Sequence, residues 1–136
     1  MGAALEGGCH CGAIRYRVTA PADEAGYCHC RDCQLTSGAP VLAWATFPID
    51  AFAIIAAAPA NYRSSAQGTR QFCGACGCQL FFRDANEPEW VSINTATLDH
   101  PGEVPPNHHI YTRSRISWFE TADDLPRHQA GGEAGA

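Results

Sequence analysis

Apolar and polar residues alternate along residues 13–19 (AIRYRVT), where Ile14, Tyr16 and Val18 interleave with Arg15 and Arg17. A period of two is that of a strand with one buried face, and it leaves the arginines in water. Residues 41–47 (VLAWATF), 52–55 (FAII), 70–72 (RQF), 78–83 (CQLFFR), 90–97 (WVSINTAT), 109–112 (HIYT) and 116–119 (ISWF) predict further strands, with Gly, Pro, Asn and Asp between them. Residues 31–36 (RDCQLT) predict a short helix, because Ser37-Gly38 offers an exit and Pro40 a barrier. The stretch 51–60 (AFAIIAAAPA) suits either state: its alanines favour helix, while Phe52, Ile54 and Ile55 suit a strand. The predicted class is mainly β, with small sheets and one short helix after a cysteine-rich turn. The expected organisation is a single domain over 5–128 and a flexible C-terminal tail over 129–136, where the chain ends in GGEAGA. Trp44, Trp90, Trp118, Phe72, Phe81, Phe82 and Phe119 are the expected aromatic core.

Charge removes one class of partner. Nine arginines, with no lysine, stand against fourteen acids for a net charge of −5, and the arginines are scattered. A polyanion is bound by a stripe of cations that replaces its counterions, so nucleic acid is not an expected partner. No apolar run approaches the ~18 residues of a membrane span, and the opening MGAALEGG lacks a basic segment followed by an apolar one. The expected location is therefore cytoplasmic, where thiols stay reduced.

That expectation bears on eight cysteines, about 6% of the chain and below the ~8–10% of a short disulfide scaffold. Cys9 and Cys11 (GGCHCG) and Cys73 and Cys76 (FCGACG) form two pairs, each spaced to turn two sulfurs toward one ion. Four thiolates make a closed tetrahedral set of the kind that holds structural zinc. Buried free thiols or two disulfides are the alternatives. Cys28, Cys30 and Cys33 (CHCRDC) supply three more ligands on a turn entering the predicted helix. Three protein ligands plus one exchangeable position is how zinc does chemistry; the alternative is a closed site completed by His29, an aspartate or Cys78. Cys78 itself is expected to be a core residue opening a strand, with a reactive thiol or a substitute ligand as alternatives. His10 and His29 are expected to be exposed or to brace a ligand, and of His108 and His109 one is expected to point inward.

The segments GGCHCGAIRYRV, CHCRDCQLTSGAP, FCGACGCQLFF and HIYTRSRISWFE, with the later DDLP, closely resemble the glutathione-dependent formaldehyde-activating enzyme family. The resemblance runs from Gly7 to about His128; related domains occur in centromere-associated proteins. It implies a mainly β, Mss4-like zinc-binding fold and two Zn²⁺ per chain, a structural one at Cys9, Cys11, Cys73 and Cys76 and a second at Cys28, Cys30 and Cys33. It further implies a carbon–sulfur lyase in which Cys28, Cys30 and Cys33 are catalytic, glutathione is the candidate thiol, and S-(hydroxymethyl)glutathione is formed or cleaved. Other function classes that fit the cysteines are a non-catalytic zinc-stabilised protein-binding module and a thiol redox protein using Cys78.

Overall fold

The computed structural model describes residues 4–131. Its strands are β1 (Leu5–Gly8), β2 (Arg15–Val18), β3 (Glu24–Cys28), β4 (Leu42–Pro48), β5 (Phe52–Ala56), β6 (Ala60–Arg63), β7 (Gly68–Phe72), β8 (Gln79–Asp84), β9 (Trp90–Asn94) and β10 (His109–Ile110), with the helix α1 (Arg31–Ser37) between β3 and β4. They form a three-stranded sheet, β1-β2-β5, and a seven-stranded sheet, β10-β3-β4-β9-β8-β7-β6. Pairing is antiparallel throughout except where β10 lies parallel to β3.

Strand register sorts the large sheet into two faces, because successive side chains point to opposite sides. Ala25, Ala45, Ile93 and Phe81 are mutual partners across β3, β4, β9 and β8 and are all buried on one face. The small sheet packs there: Tyr16 of β2 meets the Phe81 ring edge-on at 5.0 Å, and Phe52 of β5 meets it at 5.0 Å. Tyr16 is fully buried, and its hydroxyl is satisfied by Thr97 Oγ1 at 2.7 Å. Gly7 is what permits that approach, since a Cβ there would sit 2.5 Å from the Thr97 carbonyl oxygen. The opposite face carries Thr46, Ser92, Phe82 and Arg70 as register partners, one strand after another.

Most predicted elements are present with shifted ends, and the exceptions have local causes. Segment 116–119 is a turn, not a strand: the Arg115 guanidinium donates to the carbonyls of Ile116 and Phe119 at 3.1 and 2.6 Å, closing the chain on itself. Trp118 consequently stands 73% exposed and is not core. Residues 95–97 and 112–114 form single 3-10 turns that end β9 and β10 early. The ambiguous 51–60 stretch yields β5, an edge strand that packs only Phe52 on the core and leaves Ile54 and Ile55 exposed. Of the segment expected to be a tail, Gln129 and Ala130 accept backbone hydrogen bonds from Arg113 and Tyr111, and 132–136 lie outside the described residues. Among the described residues no helix is long and apolar enough to cross a membrane.

Candidate functional site

Two turns bring the first four cysteines together. Cys9 and Cys11 follow β1, and Cys73 and Cys76 lie between β7 and β8. Each turn closes through a glycine in the left-handed region, Gly12 at φ 84° and Gly77 at φ 80°, a conformation that a Cβ would strain. The Sγ atoms of Cys9 and Cys11 are 3.6 Å apart and those of Cys11 and Cys73 are 3.7 Å apart, with all four within 4.8 Å of one another. Those separations are far beyond the ~2.05 Å of a disulfide. They approach the edge, about 3.8 Å, of a tetrahedron with metal–sulfur bonds of about 2.3 Å. Backbone N–H groups donate to these sulfurs, Ile14 to Cys9 at 3.3 Å and Cys76 to Cys73 at 3.4 Å. Burial alone would push the Cys9 thiol up, but the Ile14 amide and the thiols of Cys11 and Cys73 draw it down to about 6. Against the Ala13 amide, sharing with the thiols of Cys9 and Cys73 pushes Cys11 up to about 11, so these sulfurs do not all ionise together unless a cation, a soft one for sulfur, sits among them.

The second cluster sits where β3 enters α1. Cys28 ends β3, Cys30 caps the helix by accepting the Cys33 N–H at 3.2 Å, and Cys33 lies in the first turn. The Cys33 and Cys28 sulfurs are 3.3 Å apart. Thiol hydrogen bonds from Cys28 and Cys33, with the Cys33 amide, hold Cys30 far below the usual thiol range. The same sharing with Cys30 and Cys33, together with burial, pushes Cys28 far above it. Three adjacent sulfurs therefore cannot all ionise without a cation among them. The described residues add no fourth His, Cys, Asp or Glu to this group. His29 is turned toward His109, and Cys78 packs against the core containing Cys9 and Cys73, where burial raises its thiol. The two clusters can each hold a metal ion, one with four protein sulfurs and the other with three.

Arg70, which the strand reading of 70–72 treated only as a strand residue, completes the second cluster. Its side chain is 9% exposed, and two guanidinium N–H groups point at Cys33 Sγ, each at 3.7 Å. The guanidinium also lies 4.8 Å from the Phe82 ring centroid and 3.9 Å from Asp32, while Nε donates to Ser64 Oγ at 3.3 Å. Trp44 is buried against Cys28 and Cys33, and Leu42, Ile110 and Tyr111 pack around them. Arg31, the cation inside the three-cysteine segment, is exposed and donates to Gln34 Oε1 at 3.1 Å. Gln34 is buried and ties α1 to the preceding turn and to the 112–114 turn, donating to the carbonyls of His29 and Ser114 at 2.8 and 3.2 Å.

Both histidines expected near the clusters have assignable places. His10 is exposed. His29 is 1% exposed and its Nε2 lies 2.8 Å from His109 Nδ1, while His109 Nε2 lies 3.1 Å from Asp123 Oδ1. An ionised Asp123 accepts from His109 Nε2–H, which leaves His109 Nδ1 to accept from His29 Nε2–H. The chain of rings braces the CHC turn against the C-terminal segment. Of His108 and His109, His109 is the fully buried one, as one of the pair was expected to be.

Asp123 is held well below the usual carboxylate range by the Thr121 hydroxyl first, then by the Leu125 amide and His109. A depressed carboxylate contributes stability that is complete above its unfolded value, about 4, and fades as pH falls toward the folded one. Asp123→Asn is therefore expected to lower stability at neutral pH and to flatten the loss below about pH 4, so that the two proteins converge in acid. Urea midpoints across that range measure it; parallel curves for the two proteins would contradict the assignment.

Comparison with known proteins places the chain in one family. The family model described as "Glutathione-dependent formaldehyde-activating enzyme" matches residues 4–114. A protein of Halomonas elongata named "Putative glutathione-dependent formaldehyde-activating enzyme" is 30% identical over 126 residues, covering 85% of this chain and 80% of its own length. A crystal structure of a Rhodobacter sphaeroides protein shares the fold, with a TM-score of 0.58 at 20% identity over 90% of this chain and 98% of that one. The chain belongs to the glutathione-dependent formaldehyde-activating enzyme family.

Proposed function

We propose that this protein is a zinc-dependent carbon–sulfur lyase that forms or cleaves the adduct of a small thiol with formaldehyde, S-(hydroxymethyl)glutathione where the thiol is glutathione. The observation that carries the proposal is the unequal pair of clusters: four sulfurs at Cys9, Cys11, Cys73 and Cys76, and only three at Cys28, Cys30 and Cys33. The family and the Halomonas elongata relative support glutathione and formaldehyde as the reactants. The first set is the structural zinc site and the second the catalytic one. A cytoplasmic location fits both, since their thiols must stay reduced.

In the forming direction the thiolate sulfur attacks the formaldehyde carbon, a C–S bond forms, and the carbonyl π pair moves to oxygen, which takes a proton. Cleavage is the reverse. A zinc ion at the second cluster would supply Lewis acidity, favouring the thiolate form of a thiol and polarising a carbonyl. Cys28, Cys30 and Cys33 would hold that ion, and three protein ligands would leave it able to take a substrate group. Trp44, Leu42 and Ile110 give the site apolar walls that keep bulk water from the sulfurs, which strengthens every charge interaction inside. A protein-binding module would have two closed clusters, and a redox protein would present Cys78 as an acidic, accessible thiol; instead Cys78 is partly buried and raised.

The adduct forms without a catalyst, so the test is a rate. With zinc-loaded protein, exchange of ¹³C label between formaldehyde and S-(hydroxymethyl)glutathione is expected to exceed the protein-free rate, in samples whose metal analysis gives two zinc ions per chain. Label exchange no faster than in buffer alone would overturn the proposal.

A further inference from the structure

The buried cation on the face of the large sheet opposite the small sheet is not explained by folding alone. Arg70 reaches its position through the β7–β8 register, which sets it opposite Phe82, and through α1, which lays Cys33 across the same face. The guanidinium is nearly sequestered from water, and its acidic neighbour, Asp32, stands 3.9 Å away with a half-exposed side chain. A desolvated guanidinium is costly unless its charge is used. Its two N–H groups are instead aimed at one sulfur, in the fork geometry by which arginine binds anions.

The charge balance of the cluster gives that contact a purpose. Three thiolates around a divalent cation leave one excess negative charge, and an incoming thiolate leaves two. Repulsion of that size in an apolar site opposes binding of the anionic form of the substrate. We propose that Arg70 is a positioning residue that offsets the charge of the three-sulfur cluster through Cys33, and so allows the cluster to take up an additional anionic sulfur from a small thiol. The inference rests on the function proposed above, and it assigns to this arginine the preference of the site for a thiol bound as its anion. Arg70 acts through the Cys33 sulfur and touches no reacting atom in this arrangement.

The experiment uses the full chain loaded with cobalt in place of zinc and titrated with glutathione, read as the change in sulfur-to-cobalt charge-transfer absorption. Wild type is expected to give a saturable difference spectrum. Arg70→Gln, which removes the charge, is expected to weaken glutathione binding tenfold or more, and Arg70→Lys, which restores it, to recover most of that loss. Before any thiol is added, Arg70→Gln is also expected to move the charge-transfer band to lower energy, because N–H donors withdraw electron density from the sulfur they face. The four-sulfur cluster contributes its own bands to every sample and reports that the fold is retained; should Arg70→Gln lose them, Arg70→Met carries the same expectations. Equal affinity in wild type and the neutral variant, with no band shift, overturns the inference alone. An Arg70→Lys protein as weak as Arg70→Gln also overturns it, because charge would then not be the active quantity. A wild-type spectrum indifferent to glutathione overturns the thiol-site function itself, and the inference with it.

Discussion

Cys73→Ser is expected to leave a chain with no cooperative unfolding transition, even with zinc in excess. Cys73 is 2% exposed and shares the core with Cys9, so its sulfur lies where the turn after β1 meets the β7–β8 turn. Those turns belong to different sheets, so an ion held by the four sulfurs would tie the sheets together. The binding free energy of a structural zinc, about 10–16 kcal/mol, matches or exceeds the ~5–15 kcal/mol by which a domain is stable. Losing one of four ligands forfeits most of it and also buries a serine hydroxyl in an apolar setting. Cys78→Ser is the control, since Cys78 packs partly buried against the same core but belongs to neither cluster. It is expected to cost about 1–2 kcal/mol and to keep the transition. Circular dichroism during urea unfolding separates the two variants, and a strong chelator should convert wild type to the behaviour of Cys73→Ser. A Cys73→Ser protein with a near-normal midpoint would show that the cluster does not hold the fold.

How much of this was legible in the sequence depends on how local each feature is. Alternation located β2, because Ile14, Tyr16 and Val18 are buried on a regular period, whereas β4 shows as an apolar run between Pro40 and Pro48, since Ala45 and Phe47 are buried on one face and Trp44 on the other. The segments LEGG, EAGYC and ANYR carry too few apolar residues to announce β1, β3 and β6; pairing with neighbours makes them strands. Segment 116–119 fails in the opposite sense. Its composition reads as strand, yet the Arg115 guanidinium satisfies the carbonyls that a ladder would have used. The cysteine sets were readable because CHC and C-x-x-C are local geometry, and joining Cys11 to Cys73 across 62 residues needed only the count of sulfurs that zinc prefers. Nothing comparable marks Arg70, whose partner Cys33 is 37 residues away and whose place follows from strand register plus helix packing. The His29–His109–Asp123 chain was equally hidden, since parallel pairing of β10 with β3 is what brings His109 beside Tyr27 and within reach of His29.

Cys30→Ser is expected to abolish turnover while sparing the fold, and the reason lies in the two roles of that one sulfur. Cys30 is the helix cap of α1, accepting the Cys33 amide, and serine is among the best residues for that role, so the helix start survives the substitution. It is also only partly buried, unlike Cys28 and Cys33, so the smaller hydroxyl leaves little cavity. The cap and the small cavity account for less than about 1 kcal/mol, and losing the ion adds only part of its binding free energy, because the three ligands lie within one six-residue segment that can also bind it in the unfolded chain. On the proposed function, what is lost is one of three zinc ligands, and because a two-sulfur remnant would hold zinc poorly, the metal content is expected to fall from two ions per chain to one. The several kcal/mol of transition-state stabilisation supplied by a bound ion correspond to about a thousandfold in rate. Thiol–formaldehyde exchange in Cys30→Ser should therefore fall to the protein-free value, with a cooperative unfolding transition retained. Retained exchange would place the chemistry away from the three-sulfur cluster. Unfolding as complete as in Cys73→Ser would make both clusters structural, because a site that holds the fold together cannot also be the one left open for substrate.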